Sequence, residues 1–169
     1  SELEHYLQLE HIMRLAKARA QHTLTRQVVS VTRVSARLRG LIARRAQRLC
    51  EYCLIHEVDA YFGCQIDHII SEKHGGATTA NNLAYACLFC NRSKGSDIGS
   101  IVPETGAFVR FLILEPTLAE HFELREGMRI APLTDIGVVT ERILAFNGGR
   151  RLLERQTLHA EGRYPTPAA

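Results

Sequence analysis

The 169-residue chain is predicted to be α+β: a small core stapled at its ends by two cysteine pairs, a basic helical region before it, and a β-hairpin plus helices after it. Three observations predict this. Two Cys-x-x-Cys pairs, Cys50/Cys53 and Cys87/Cys90, bracket a stretch of short apolar alternations. From His11 to Leu49 there are ten Arg or Lys and no acid. Past the turn signal Pro103-Glu104-Thr105-Gly106 the pattern changes to a strand, a hairpin and helices. The expected divisions are residues 1–34, 35–100 and 101–169.

Taking the elements in order, residues 3–20 place Leu3, Leu7, Leu9, Ile12, Met13, Leu15 and Ala16 near helical spacing, which predicts an amphipathic helix. Thr23 to Val34 is rich in β-branched residues and reads as a strand or a joining segment. Ser35 is placed to cap a second helix with an apolar face of Leu38, Leu41, Ile42 and Leu49, and with Arg37, Arg44, Arg45 and Arg48 elsewhere on its circumference. Phe108 to Leu114 reads as a strand, and His121 to Leu133 as a hairpin about Glu126-Gly127. Thr134 can cap a helix carrying Ile136, Val139, Ile143 and Leu144 that stops near Asn147-Gly148-Gly149. A last helix runs through Leu152, Leu153 and Leu158, and the tail from Tyr164 is extended.

Composition sets the class. With 46% hydrophobic and 23% charged residues the chain is globular, neither disordered nor collagen-like. No apolar run approaches the roughly 18–20 residues that cross a bilayer, and the start lacks the order of a signal peptide, so no membrane association and a cytoplasmic location are expected. The net charge of +3 conceals a polarised chain: residues 1–49 carry ten cations and three acids, whereas residues 50–169 carry eleven and fifteen. Nine of those first ten cations are Arg, whose planar fork suits phosphate oxygens, so a polyanion is the natural partner. Nothing in the sequence demands an oligomer.

Cys-x-x-Cys spacing lets two thiolates take adjacent corners of a zinc tetrahedron. With no βαβ pattern around either pair, a structural Zn²⁺ held by Cys50, Cys53, Cys87 and Cys90 is favoured over a redox pair or buried free thiols. Cys64 is then left as a small buried hydrophobe.

The gap between the pairs holds Gln65-Ile66-Asp67-His68-Ile69-Ile70, His74-Gly75-Gly76, Asn81-Asn82-Leu83 and, running on from Cys90, Asn91-Arg92-Ser93-Lys94-Gly95. This arrangement resembles the HNH endonuclease family, within the ββα-metal nucleases (the His-Me finger group), over residues 50–96. The resemblance implies two antiparallel strands and a helix around a catalytic cation, and hydrolysis of DNA, double-stranded above all, to 5′-phosphate and 3′-hydroxyl ends. It implies His68 as general base, Asp67 and Asn91 as ligands of the catalytic metal, and Asn82 as the middle Asn, bracing the loop that faces His68. Asn91 stands where the family often has His, which favours Mg²⁺ or Mn²⁺ there, with Ni²⁺ or Zn²⁺ also compatible.

The residue types agree with that chemistry. An imidazole titrating near about pH 6.5 can take a proton from water at neutral pH, and a carboxylate and an amide offer hard oxygens to a divalent cation. Asp67 and His68 are neighbours in a strand and must face opposite sides. Arg37, Arg44, Arg45, Arg48, Arg92 and Lys94 are the expected phosphate contacts, and His74 either meets substrate or decorates its loop. The competing expectation is a zinc-stapled DNA- or RNA-binding module without cleavage activity.

Overall fold

The computed structural model describes residues 34–112 and 118–165, all within one compact unit, residues 34–169. The expected helix over 3–20 and the segment 23–33 lie outside the described residues.

Helix α1, Ala36–Arg45, begins as expected, with Ser35 Oγ accepting from the Leu38 amide at 3.2 Å. It ends earlier than the apolar spacing implied. Gln47 and Arg48 take positive φ of 50° and 60°, which breaks the helical period. Leu49 therefore leaves the helix and forms an isolated bridge with His56, while Leu41 is half-exposed at 47%. Ile42 alone of that expected face is fully buried.

The centre is a two-stranded antiparallel sheet of β1, Cys64–His68, and β2, Leu83–Cys87, followed at once by helix α2, Leu88–Lys94. Every residue of β2 is buried, because both faces are covered. Leu83 and Tyr85 pack with Ile42 of α1, whereas Ala84 and Ala86 join a larger cluster with Tyr52, Ile55 and Phe111. That alternation is the strand period of two at work. In β1, Cys64 and Ile66 lie on the α1 side, so His68 does too and Asp67 turns to the other.

Beyond the core, β3 (Gly99–Ile101) pairs with β4 (Phe108–Arg110). Of the strand expected over Phe108 to Leu114, Phe108–Arg110 pairs with β3, the Phe111 amide adds one bond to Ile98 O at 2.9 Å, Phe111 and Leu112 are buried, and residues 113 and 114 lie outside the described residues. Helix α3, Leu118–His121, leads into β5, Phe122–Arg125, which pairs with β6, Arg129–Pro132, around Gly127 at φ 66°. Helix α4, Asp135–Leu144, is capped by Thr134, whose Oγ1 accepts from the Gly137 amide at 3.2 Å. It stops at Ala145 in the left-handed region, and Gly148-Gly149 open helix α5, Gly149–Ala160, rather than ending α4. Leu144, Phe146, Leu158 and Tyr164 complete the larger cluster against Cys50 and Cys53. The mixture of helices and small antiparallel pairs around a cysteine cluster is α+β, consistent with a ββα-metal core.

Candidate metal centre and active site

The four cysteines come together from two places. Cys50 and Cys53 flank a tight knuckle in which the Cys50 amide donates to Ile55 O at 2.9 Å, and Cys87 and Cys90 sit at the junction of β2 and α2. Their sulfurs lie within 4.8 Å of one another, all buried. A tetrahedral zinc with Zn–S of about 2.3 Å requires sulfurs about 3.8 Å apart, and Cys53 and Cys87 are 3.9 Å apart. The donor set therefore fits a structural zinc. Cys64 stays out of it, half-buried, its thiol pushed up to about 12 chiefly by burial.

One side chain of this centre was not legible in the sequence. Arg151, on α5, donates from one terminal nitrogen toward Cys53 Sγ at 3.0 Å, Cys87 Sγ at 3.7 Å and Cys90 Sγ at 3.9 Å, and stacks over Phe89 at 5.2 Å. It also pairs with Glu154. Its positive charge opposes the charge of the thiolates, but it stands 98 positions from Cys53, so no local pattern links them.

Asp67 is 7% exposed, and its Oδ2 accepts from Tyr52 Oη at 2.8 Å and faces Lys94 Nζ at 3.3 Å. Burial raises its carboxyl from the ordinary value, and Lys94 and Tyr52 oppose that rise. Among the described residues no hydrogen bond reaches Oδ1. Lys94 is fully buried, donating also to His68 O at 2.7 Å and Gly95 O at 3.3 Å. This corrects the expectation that Lys94 contacts phosphate: the Asp67 carboxylate draws it inward. Replacing Lys94 with Met should cost about 3–5 kcal/mol of stability, since a buried carboxylate loses its counter-charge. A denaturant midpoint unchanged in that variant would show that the pair holds nothing together.

His68, on the opposite face of β1, has its Nε2 2.9 Å from Thr78 Oγ1. The Thr78 hydroxyl is directed toward Glu72 Oε1 at 3.5 Å, and a carboxylate only accepts, so Thr78 Oγ1 accepts from His68 Nε2–H. That assigns the tautomer and leaves the lone pair on Nδ1, which has no hydrogen bond among the described residues.

Asn82 closes the loop after β1. Its Oδ1 accepts from the Ile70 amide at 2.9 Å, and its Nδ2 donates to Ile70 O and Ala77 O, each at 2.9 Å. Gly76 is required beside it, because a Cβ there would stand 1.7 Å from Ile70 O and 2.8 Å from Asn82 Nδ2. Residues 50–97 match the HNH endonuclease family model. No curated protein and no solved structure matches the chain.

In the matched segment Asn91 is half-buried on α2, next to Cys90, its side chain without a hydrogen bond among the described residues. It precedes Lys94 by three positions, so the two share a helix face, and Lys94 reaches Asp67 from it. His74 is exposed in the turn Glu72–His74.

The expected basic set divides in two. Arg37 and Arg44 on α1 and Arg92 on α2 are exposed and make no hydrogen bond or ion pair among the described residues. Arg48 pairs with Glu57, and Arg45 is committed to Glu51 and two backbone carbonyls. For these two, the expected role as free phosphate contacts meets acidic partners that spacing did not reveal. No helix among the described residues is long and apolar enough to cross a membrane.

Proposed function

We propose that this chain is a metal-dependent endonuclease hydrolysing DNA phosphodiester bonds, with double-stranded DNA as the favoured substrate. The observation that carries the reading is His68: at the end of β1, with Nε2–H committed to Thr78, it offers Nδ1 as a base. Nδ1 takes the proton of the attacking water. Asp67, with its carboxylate, and Asn91, with its amide oxygen, would hold a divalent cation, Mg²⁺ or Mn²⁺ by the hardness of the oxygens. When bound, that cation stabilises charge on the phosphorane and on the leaving oxygen. Asn82 keeps the chain beyond His68 in place through Ile70. A zinc held by the four cysteines would fix the β2–α2 junction, and so the start of the helix that carries Asn91.

Arg37 and Arg44 are seven positions apart on α1 and therefore on one face, where they meet phosphates, with Arg92 as a further contact. Changing Arg37 and Arg44 together to Gln should weaken DNA binding at every sequence and reduce the slope of log K against log salt by about two. An unchanged slope in a fluorescence-anisotropy titration would remove α1 from the interface. Nicking of supercoiled plasmid, with and without a chelator, tests the reading as a whole. Metal-dependent conversion to open circle is expected, and DNA binding without cleavage on both double- and single-stranded substrates would instead establish the binding module.

A further inference from the structure

We propose that Arg45 is a positioning residue for the His68 site rather than a contact to nucleic acid. The assignment rests on the nuclease reading for its kinetic consequence, and on geometry for the rest. Four of the five guanidinium N–H groups are placed. Nε donates to Glu51 Oε1 at 2.9 Å and one terminal nitrogen to Glu51 Oε2 at 2.8 Å, a bidentate pair. That same nitrogen donates to Leu83 O at 2.7 Å, and the other to Ala80 O at 2.8 Å.

Those two carbonyls enclose the turn Ala80–Asn82 and the first residue of β2. Asn82 lies between them, holding Ile70 by two hydrogen bonds, and Leu83 is the register partner of His68. Leu83 is fully buried, so its carbonyl on the side of β2 away from β1 needs a donor from the protein. Glu51 serves the next groups along that edge. Its Oε2 accepts from the Tyr85 amide at 2.6 Å, and its own amide donates to Tyr85 O at 2.7 Å. Arg45 and Glu51 together stand in for a third strand, tying the cysteine knuckle and α1 to the edge of β2 that lies away from β1.

A phosphate contact and a positioning fork respond differently to substitution. A lysine retains the charge that a phosphate reads but cannot reach four acceptors in one plane. Arg45→Lys and Arg45→Gln should both lower the single-turnover rate at saturating DNA by about 10²-fold, the scale of a misplacement near one ångström. DNA affinity should stay within about twofold, and the salt slope should not change. Arg44→Gln, at an exposed cation of the same helix, should instead weaken binding and lower the slope by about one.

The assignment is overturned if Arg45→Lys cuts at the wild-type rate, or if Arg45→Gln loses affinity and salt slope while cutting normally when saturated. Should Arg45→Gln release its zinc, Arg45→Lys decides alone. A wild type that binds DNA but never cuts refutes the nuclease reading, and amide exchange then settles Arg45 separately. Ile69, bonded to Asn82 O, and Ile70, bonded to Asn82 Oδ1, should exchange about tenfold faster in Arg45→Lys than in wild type. Equal rates at both amides would overturn the assignment.

Discussion

Replacing His68 with alanine is expected to lower the single-turnover cleavage rate by about 10²–10⁴-fold while DNA affinity stays within about twofold. The size follows from what the imidazole does. At the end of β1 its Nε2–H is committed to Thr78, which passes its own hydroxyl hydrogen toward Glu72, and Nδ1 is left to accept a proton. The neighbouring carboxylates are placed elsewhere: Glu72 lies 3.9 Å from Nε2 rather than beside Nδ1, and Asp67 faces the other side of the strand, engaged with Tyr52 and Lys94. Affinity should survive, because the exposed Arg37, Arg44 and Arg92 lie on helices that do not depend on the ring. Thr78→Val should produce a smaller loss of the same kind, since the ring would keep its place and lose its imposed tautomer. Wild-type cleavage by His68→Ala at saturating DNA would move the base elsewhere. Loss of DNA binding in that variant, with its zinc retained, would make His68 a contact instead.

The parts of this site that were legible in the sequence are those that chemistry writes locally. Two pairs of thiolates, each three positions apart, announce a metal, and the four sulfurs do gather; the Asp-His pair with the following Asn82 and Asn91 carries the resemblance that the family match over residues 50–97 repeats. Ser35 and Thr134 announce helix starts, and both caps form. What escaped is long-range pairing. Arg37, Arg44, Arg45 and Arg48 look equivalent in a run of cations, yet Glu51 claims Arg45 and Glu57 claims Arg48, because the knuckle folds back on the end of α1. Lys94 reads as a surface cation beside Arg92 until the register of β1 places Asp67 behind α2. Thr78, Glu72 and Tyr52 were hidden for the same reason, being loop or knuckle residues whose partners are set only by the turn back from β1 into β2. The early end of α1 was hidden by its own composition: neither Gln47 nor Arg48 is a residue type that signals a left-handed turn.

Stripping the zinc, or changing Cys87 and Cys90 together to Ser, should unfold the core and carry the C-terminal elements with it. Structural zinc contributes about 10–16 kcal/mol in small finger peptides, as much as the roughly 5–15 kcal/mol that stabilises an ordinary domain. The magnitude applies here because of where the ligands stand. Cys87 ends β2 and Cys90 lies one turn into α2, while Cys50 and Cys53 hold the knuckle whose Glu51 completes the edge of β2. Free of metal, the four sulfurs have no reason to remain within 4.8 Å, and the knuckle separates from the sheet. The C-terminal region is fastened to the same point. Arg151, 7% exposed, would lose the thiolates that it faces and keep only Glu154 against the cost of its burial. Tyr164 Oη donates to Cys53 O at 3.2 Å, and Leu144, Phe146 and Leu158 share one apolar cluster with Cys50, Tyr52 and Ile55. A single transition is therefore expected on chelation, with amides in β1, β2, α4 and α5 losing protection together. Elemental analysis should find about one tightly held zinc per chain in the wild type and none in the double variant. Persistence of α4 and α5 protection after the metal has left would show that the hairpin and helices stand on their own packing. Protection persisting in β1 and β2 as well would remove zinc from the scaffold of the site.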